Sequence, residues 1–319
     1  MKTSRIVAAV LLLISGISQA QAAWVWTPQT RRWINPKYAP KDTPRAQMDW
    51  AVGFFETRDY PRAAKEFLRL VAAYPRSELA PEAQFLAGLS FELTGRLGPA
   101  FTAYKRLIEI YPFSPRFQDA VEREFLIAER FFQGERLTLL GPVKMPGLDK
   151  AIEIYQHIVE HAPYGEYGPK AQMRLGECFL RQRRHEEAQR AFQRVVDEYP
   201  ASGLVAEAKF KVAFCARQLS LKPSYDQSAT EEAIDWYQDF IEGHPDSELL
   251  PQAQESLRQL QEIKAEGLAN VAQFYEAQGK SASAVFYYRE IVKLYPESLT
   301  AAQAIAKLRE LEEKGAAGQ

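Results

Sequence analysis

Apolar residues recur along this chain at steps of three and four, the spacing of one helical face, and the pattern itself repeats. Six prolines set its register: Pro75, Pro112, Pro163, Pro200, Pro245 and Pro296. Twelve residues before each stands an alanine (Ala63, Ala100, Ala151, Ala188, Ala233, Ala284). Eight before stands an aromatic (Phe67, Tyr104, Tyr155, Phe192, Tyr237, Tyr288), and five before an apolar residue (Leu70, Leu107, Ile158, Val195, Phe240, Ile291). Eight after, an alanine returns (Ala83, Ala120, Ala171, Ala208, Ala253, Ala304). A small residue lets a neighbouring helix approach, the aromatic fills the gap beside it, and the proline ends the helix. Tyrosine precedes four of the prolines, at Tyr74, Tyr111, Tyr199 and Tyr295. Serine follows two residues later at Ser77, Ser114, Ser202, Ser247 and Ser298, where a turn is needed. Each unit therefore reads as helix A, a turn, helix B and a Tyr-Pro-x-Ser stop.

Three units are longer. Pro112 to Pro163 carries a Gly/Pro-rich insert, Gly134 to Leu148, expected as a loop between helices. A second insert lies within Leu219 to Thr230. Pro245 to Pro296 has no breaker from Gln252 to Glu266, which predicts two lengthened helices. A final helix over Leu299 to Lys314 is expected to cap the array. The predicted fold is an all-α superhelical solenoid of about six helix pairs with a C-terminal capping helix. It resembles the tetratricopeptide repeat, whose small, aromatic and proline slots match Gly88/Phe91/Ala100/Tyr104/Pro112 and Gly176/Phe179/Ala188/Phe192/Pro200.

The ends differ from the array. Residues 1–22 read as a signal peptide: Lys2 and Arg5 precede the short apolar run Ile6 to Ile14, and Ala20-Gln21-Ala22 suits cleavage before Ala23. The expected location is the periplasm. Ile17 stands where a lipoprotein signal needs cysteine, so no lipid anchor is read. Residues 23–45 form a Trp/Pro/basic arm with Trp24, Trp26, Trp33 and the cations Arg31, Arg32, Lys37, Lys41 and Arg45. The arm either covers the apolar face of the first repeat or serves as an interface strap with peripheral membrane association. The remaining divisions are an N-terminal repeat half over 46–163, a C-terminal half with its cap over 164–314 and a tail over 315–319.

Composition narrows the function. The 40 lysines and arginines balance 41 aspartates and glutamates, so no overall field attracts nucleic acid. The two cysteines, Cys178 and Cys215, share one repeat slot on successive A helices and read as small buried residues rather than a disulfide. His157-Ile158-Val159-Glu160-His161 spells the zinc-hydrolase string H-x-x-E-H, but Ile158 and Glu160 are explained by the repeat. No metal, cofactor or catalytic residue is assigned, and the chain is expected not to be an enzyme.

The expected working surface is the wall of A helices. Arg45, Met48, Val52, Phe55, Phe85, Leu89 and Glu92 are its peptide-groove candidates in the first two units. Ala171 to Ser202 and Leu260 to Ser298, with their Tyr-Pro-x-Ser stops and long helix, resemble the outer-membrane assembly factor BamD family, without its lipobox cysteine. The resemblance implies a non-catalytic scaffold of β-barrel assembly, peripheral to the outer membrane. Its implied partners are unfolded outer-membrane protein segments and an Omp85-type barrel protein. The alternative is an exported repeat adaptor of another envelope process, such as Tol-linked cell division.

Overall fold

In the computed structural model the described residues are 25–27, 32–34, 39–138, 144–145, 147–220 and 228–317. The leader segment, Trp24, Pro28, Arg31, Pro36 and Lys37 lie outside them. Among the described residues the array begins with α1 (Pro44–Glu56), α2 (Tyr60–Ala73), α3 (Ala80–Leu93), α4 (Leu97–Ile110) and α5 (Phe117–Phe132). It continues with α6 (Leu148–His161), α7 (Tyr167–Arg181), α8 (His185–Glu198), α9 (Val205–Ser220) and α10 (Ser228–Gly243). The last three are α11 (Leu250–Ala277), α12 (Ser281–Leu294) and α13 (Leu299–Ala317). Six helix pairs and a single final helix make this the all-α helix-pair solenoid that the proline register predicts.

The repeated slots are the core. All six alanines twelve residues before the prolines are 0% exposed, and the six aromatics four residues further on are at most 2% exposed. Burying each large apolar side chain contributes about 1.5–3 kcal/mol. A one-residue slip would turn the whole set out of the interior, so the register is firmly held.

The stops use the expected chemistry. The backbone N–H groups of Tyr74, Tyr111, Tyr199 and Tyr295 close the last helical turn on Leu70, Leu107, Val195 and Ile291. Oγ of Ser77, Ser114, Ser202 and Ser247 then accepts the backbone N–H two residues on, at 3.1–3.2 Å, starting the next helix. The tyrosines also tie units together: Tyr111 Oη donates to the Pro75 carbonyl at 2.9 Å, and Tyr74 Oη donates to that of Lys41. The turn from helix A to helix B needs a left-handed residue. Glycine supplies it at Gly95 (φ 72°) and Gly279 (φ 71°).

The lengthened C-terminal unit departs from expectation. Only helix A grows: α11 has 28 residues, whereas α12 keeps 14. The helix runs on through Gly267 to Ala277, and the left-handed Gly279 sets the end. Glu262, midway along α11, reaches the start of α13. Its carboxylate accepts the backbone N–H groups of Leu299 (2.8 Å) and Thr300 (3.0 Å), capping that helix. Helix α13 itself runs past Lys314 to Ala317.

Both irregular segments contain short antiparallel pairs. In the arm, β1 (Val25–Thr27) pairs with β2 (Arg32–Ile34), with Trp26 opposite Trp33. In the expected loop, β3 (Leu137–Thr138) pairs with β4 (Lys144–Met145).

By compactness the chain separates into residues 1–120 and 121–319, a different division from the halves drawn at 163/164 from the repeat count. In the first unit Ala51, Phe67, Leu70 and Ala83 form the centre of the core. The second contains one cluster around Phe210, Tyr237, Phe240 and Leu260, and another around Ala272, Tyr288 and Ile291.

Candidate functional site

The candidate site is the face that the A helices of the second unit present together. Its recurring device is a tyrosine of helix B whose hydroxyl is anchored on a glutamate of the preceding helix A. Tyr155 Oη donates to Glu129 at 2.5 Å and Tyr288 Oη donates to Glu276 at 3.0 Å. A cation from the next helix A completes each set: Arg174 Nε lies 2.8 Å from Glu129, and Lys307 Nζ lies 3.3 Å from Glu276. Arg174 and Lys307 each stand eleven residues after their proline, so the same repeat slot supplies both cations. Burial, reinforced by Glu129, pushes the Tyr155 hydroxyl far above its ordinary range. Burial and Glu276 push that of Tyr288 up to about 12. Both tyrosines therefore stay neutral donors at physiological pH.

A charge ladder extends the first set. Arg174 also binds Glu177 at 2.5 Å, and Glu177 receives Lys211 of α9 at 3.1 Å. Burial disfavours ionisation of Glu177, but its hydrogen bonds from Arg174 and Lys211 outweigh this and hold its pKa below the ordinary value. Beside the ladder is a cavity of about 250 Å³ lined by Phe125, Lys170, Met173, Arg174, Glu177, Leu204 and Glu207. A second, of about 290 Å³, lies beside the other set, where Tyr288, Lys307 and Glu310 meet Ala269, Gln273 and Gln303. Each therefore combines an apolar floor with charges fixed in place by their partners, and neither brings a nucleophile and a base together.

The groove candidates in the first unit are packed to different depths. Met48 and Phe85 are buried, so neither presents an open surface. Phe85 is covered by Arg116, whose guanidinium lies 4.9 Å from its ring centre and is held by Glu82 and Asp119. Phe55 packs edge-on against Tyr60 and Phe67, and Glu92 accepts from Tyr104 at 2.9 Å. Val52 and Leu89 are partly buried, and Arg45 is exposed beside Asp49 at 3.1 Å. The arm's Trp26 and Trp33 are exposed.

The residues of the H-x-x-E-H string lie on α6 at different depths. His157 is buried with Nδ1 2.8 Å from Glu124 Oε2, while Glu160 faces solvent. His161 stacks on His157, and its Nδ1 lies 3.1 Å from the His157 carbonyl. Cys178 and Cys215 are free and buried, and burial pushes both thiols up to about 12.

The tyrosine–glutamate–cation sets escaped the sequence reading, although a signal for them exists. Where helix B carries tyrosine, as at Tyr104 and Tyr288, the residue twelve earlier is Glu92 or Glu276. Where it carries phenylalanine, as at Phe67 and Phe192, that residue is Phe55 or Leu180. A buried hydroxyl requires an acceptor and a bare ring does not. Buried glutamines were a second missed element: Gln47, Gln84 and Gln172 donate across the pair to the carbonyls of Glu66, Ala103 and Ala191 at 2.8–3.0 Å.

The second unit also carries the decisive likeness. The YfiO family model, described as outer membrane lipoprotein, matches residues 143–316, more than half of the chain. The chain belongs to this family. The YfiO match runs from the insert before α6 almost to the end of α13. A tetratricopeptide-repeat model matches residues 48–115, in the first unit. The chain is similar to the outer membrane protein assembly factor BamD of Caulobacter vibrioides, with 18% identity over 162 residues. That match covers 51% of this chain and 53% of the relative, so the chain spans about half the length of the curated relative it matches. Among solved structures it is similar to part of a tetratricopeptide-repeat protein from Cytophaga hutchinsonii, at 15% identity and a TM-score of 0.35, covering 83% of this chain and 88% of that one. Pseudomonas aeruginosa PilF gives 12% identity and a TM-score of 0.31, covering 83% and 97%. No described helix is long and apolar enough to cross a membrane.

Proposed function

We propose that this protein is a non-catalytic, BamD-like scaffold of outer-membrane β-barrel assembly, working from the periplasm. It holds unfolded outer-membrane protein segments and docks on an Omp85-type barrel protein. The observation that carries this reading is the family match over 143–316, a span that includes the Arg174–Glu177–Lys211 ladder and the Glu276–Lys307 pair. The physical argument concerns the client. Strands of outer-membrane barrels alternate apolar and polar residues with a period of two. A wall with the half-buried Phe125 beside Lys170, Arg174 and Glu177 offers partners to both faces of such a strand before it folds. The charges are held by Glu129 and Glu177 before any client arrives, which reduces the ordering needed on binding.

Photocrosslinking residues introduced at Lys170 and Gln303 test the reading. They are expected to label an unfolded barrel-protein segment and to lose that label when the client is already folded. Equal labelling from Arg194, an exposed residue of α8, would contradict a role for this wall.

A further inference from the structure

The arm holds an aromatic device that the helix array does not use. Trp26 and Trp33 are direct cross-strand partners in the β1–β2 pair. Their rings meet edge to face with centroids 6.0 Å apart, yet the residues remain 46% and 63% exposed. Two large indoles locked together and still open to water form a preorganised apolar tip. The surrounding sequence is one-sided in charge. Residues 23–45 carry Arg31, Arg32, Lys37, Lys41 and Arg45 against a single acid, Asp42. The rest of the chain carries 35 lysines and arginines against 40 aspartates and glutamates, so this concentration is local to the arm.

Indole is the side chain best suited to the boundary between headgroups and acyl chains, because its apolar body and N–H are satisfied on opposite sides of that boundary. Adjacent cations add attraction to anionic lipid, each contributing modestly and all screened by salt. We propose that the Trp26/Trp33 hairpin, set in a segment whose sequence is rich in cations, is a docking element for an anionic phospholipid bilayer surface, inserting the indoles at headgroup depth. The tip is a peripheral contact, because neither strand is long enough to span a bilayer. This assignment is independent of the barrel-assembly reading and stands or falls without it.

The test uses the full chain, expressed with its own N-terminal segment, purified, and floated with vesicles. One set contains phosphatidylglycerol and phosphatidylcholine in equal parts, and the other phosphatidylcholine alone. The expected result is binding to the anionic vesicles that falls with added salt and is at least about tenfold weaker for the neutral ones. Trp26→Ala/Trp33→Ala is expected to weaken anionic binding on the order of tenfold, and Arg31→Gln/Arg32→Gln by a similar factor with the indoles intact. Unchanged far-ultraviolet circular dichroism in both variants assigns the loss to the tip rather than to unfolding. Equal binding to both vesicle types, no binding of the parent chain to anionic vesicles, or undiminished binding by the tryptophan variant overturns the proposal.

Discussion

The ring of Tyr104 lies against the backbone of Gly88 so closely that a Cβ built on Gly88 falls 2.5 Å from Tyr104 Cε1. Gly176 stands in the same relation to Phe192, again at 2.5 Å. Helix A thus gives up a side chain so that the aromatic of helix B can reach the core. Gly88→Ala is expected to lower stability by about 1–3 kcal/mol through overpacking, more than the helix-propensity gain of about 1 kcal/mol. Gly53 is the control, because nothing lies within 4 Å of its added Cβ. There, alanine is expected to stabilise by about 0.5–1 kcal/mol. Chemical denaturation of the two variants checks the opposite signs.

The tyrosine–glutamate pairing makes a prediction about coupling. Tyr288→Phe removes the hydroxyl donated to Glu276 and is expected to destabilise by about 0.5–1.5 kcal/mol. Glu276→Leu alone strands that hydroxyl and also removes one of the two carboxylate partners of Lys307. The double variant copies the chemistry already present at Phe192 and Leu180. It is expected to lose less than the sum of the singles, by about 0.5–3 kcal/mol. Strict additivity in a double-mutant cycle would refute the pairing.

The Glu262 cap gives a pH dependence. Burial raises its pKa somewhat, but hydrogen bonds from Thr300 and the Leu299 and Thr300 backbone outweigh this and leave it below the ordinary 4.5. A carboxyl lowered in the folded state contributes stability above its unfolded value, and loses it as pH falls through the folded value. The thermal midpoint of the parent chain should therefore decline below about pH 4.5, whereas Glu262→Gln is expected to start lower and to decline less over that window. Midpoints measured across pH 7 to 3 decide it, and parallel curves for the two proteins would count against the cap.

Cys178 and Cys215 should behave as inert core residues. Both are 0% exposed, and burial keeps the thiols protonated. A thiol reagent is expected to label neither in the native protein and both after denaturation. Failure to label the denatured, unreduced chain would reveal a disulfide and contradict the structure.

Much of the fold was legible because repetition averages over the ambiguity of any one segment. The alanine, aromatic and aliphatic slots fall on one helical face in all six units, and their burial follows from that face alone. The serine after four of the stops was equally readable, since its role depends only on residues two positions away. Length changes were harder. Gln252 to Glu266 lacks breakers, but only the position of Gly279 assigns the whole extension to α11. The hairpins at Trp26 and Leu137 were not legible, because two or three residues are too few to show a period.

The site was less visible than the fold. Groove positions inferred from repeat geometry included Met48 and Phe85, whose apolar character serves the core instead. The charged wall depends on partners one unit apart, such as Arg174 with Glu129 and Lys307 with Glu276. A search for groups close in sequence passes over those pairs. A search by repeat slot finds them.

The central claim is that the protein holds the machinery of outer-membrane barrel assembly together. Affinity purification of the C-terminally tagged protein from envelopes in mild detergent, with mass spectrometry of what accompanies it, tests that claim most directly. The account predicts an Omp85-type barrel protein recovered in near-equal amount. Recovery of Tol or peptidoglycan-synthesis proteins with no barrel subunit would contradict it.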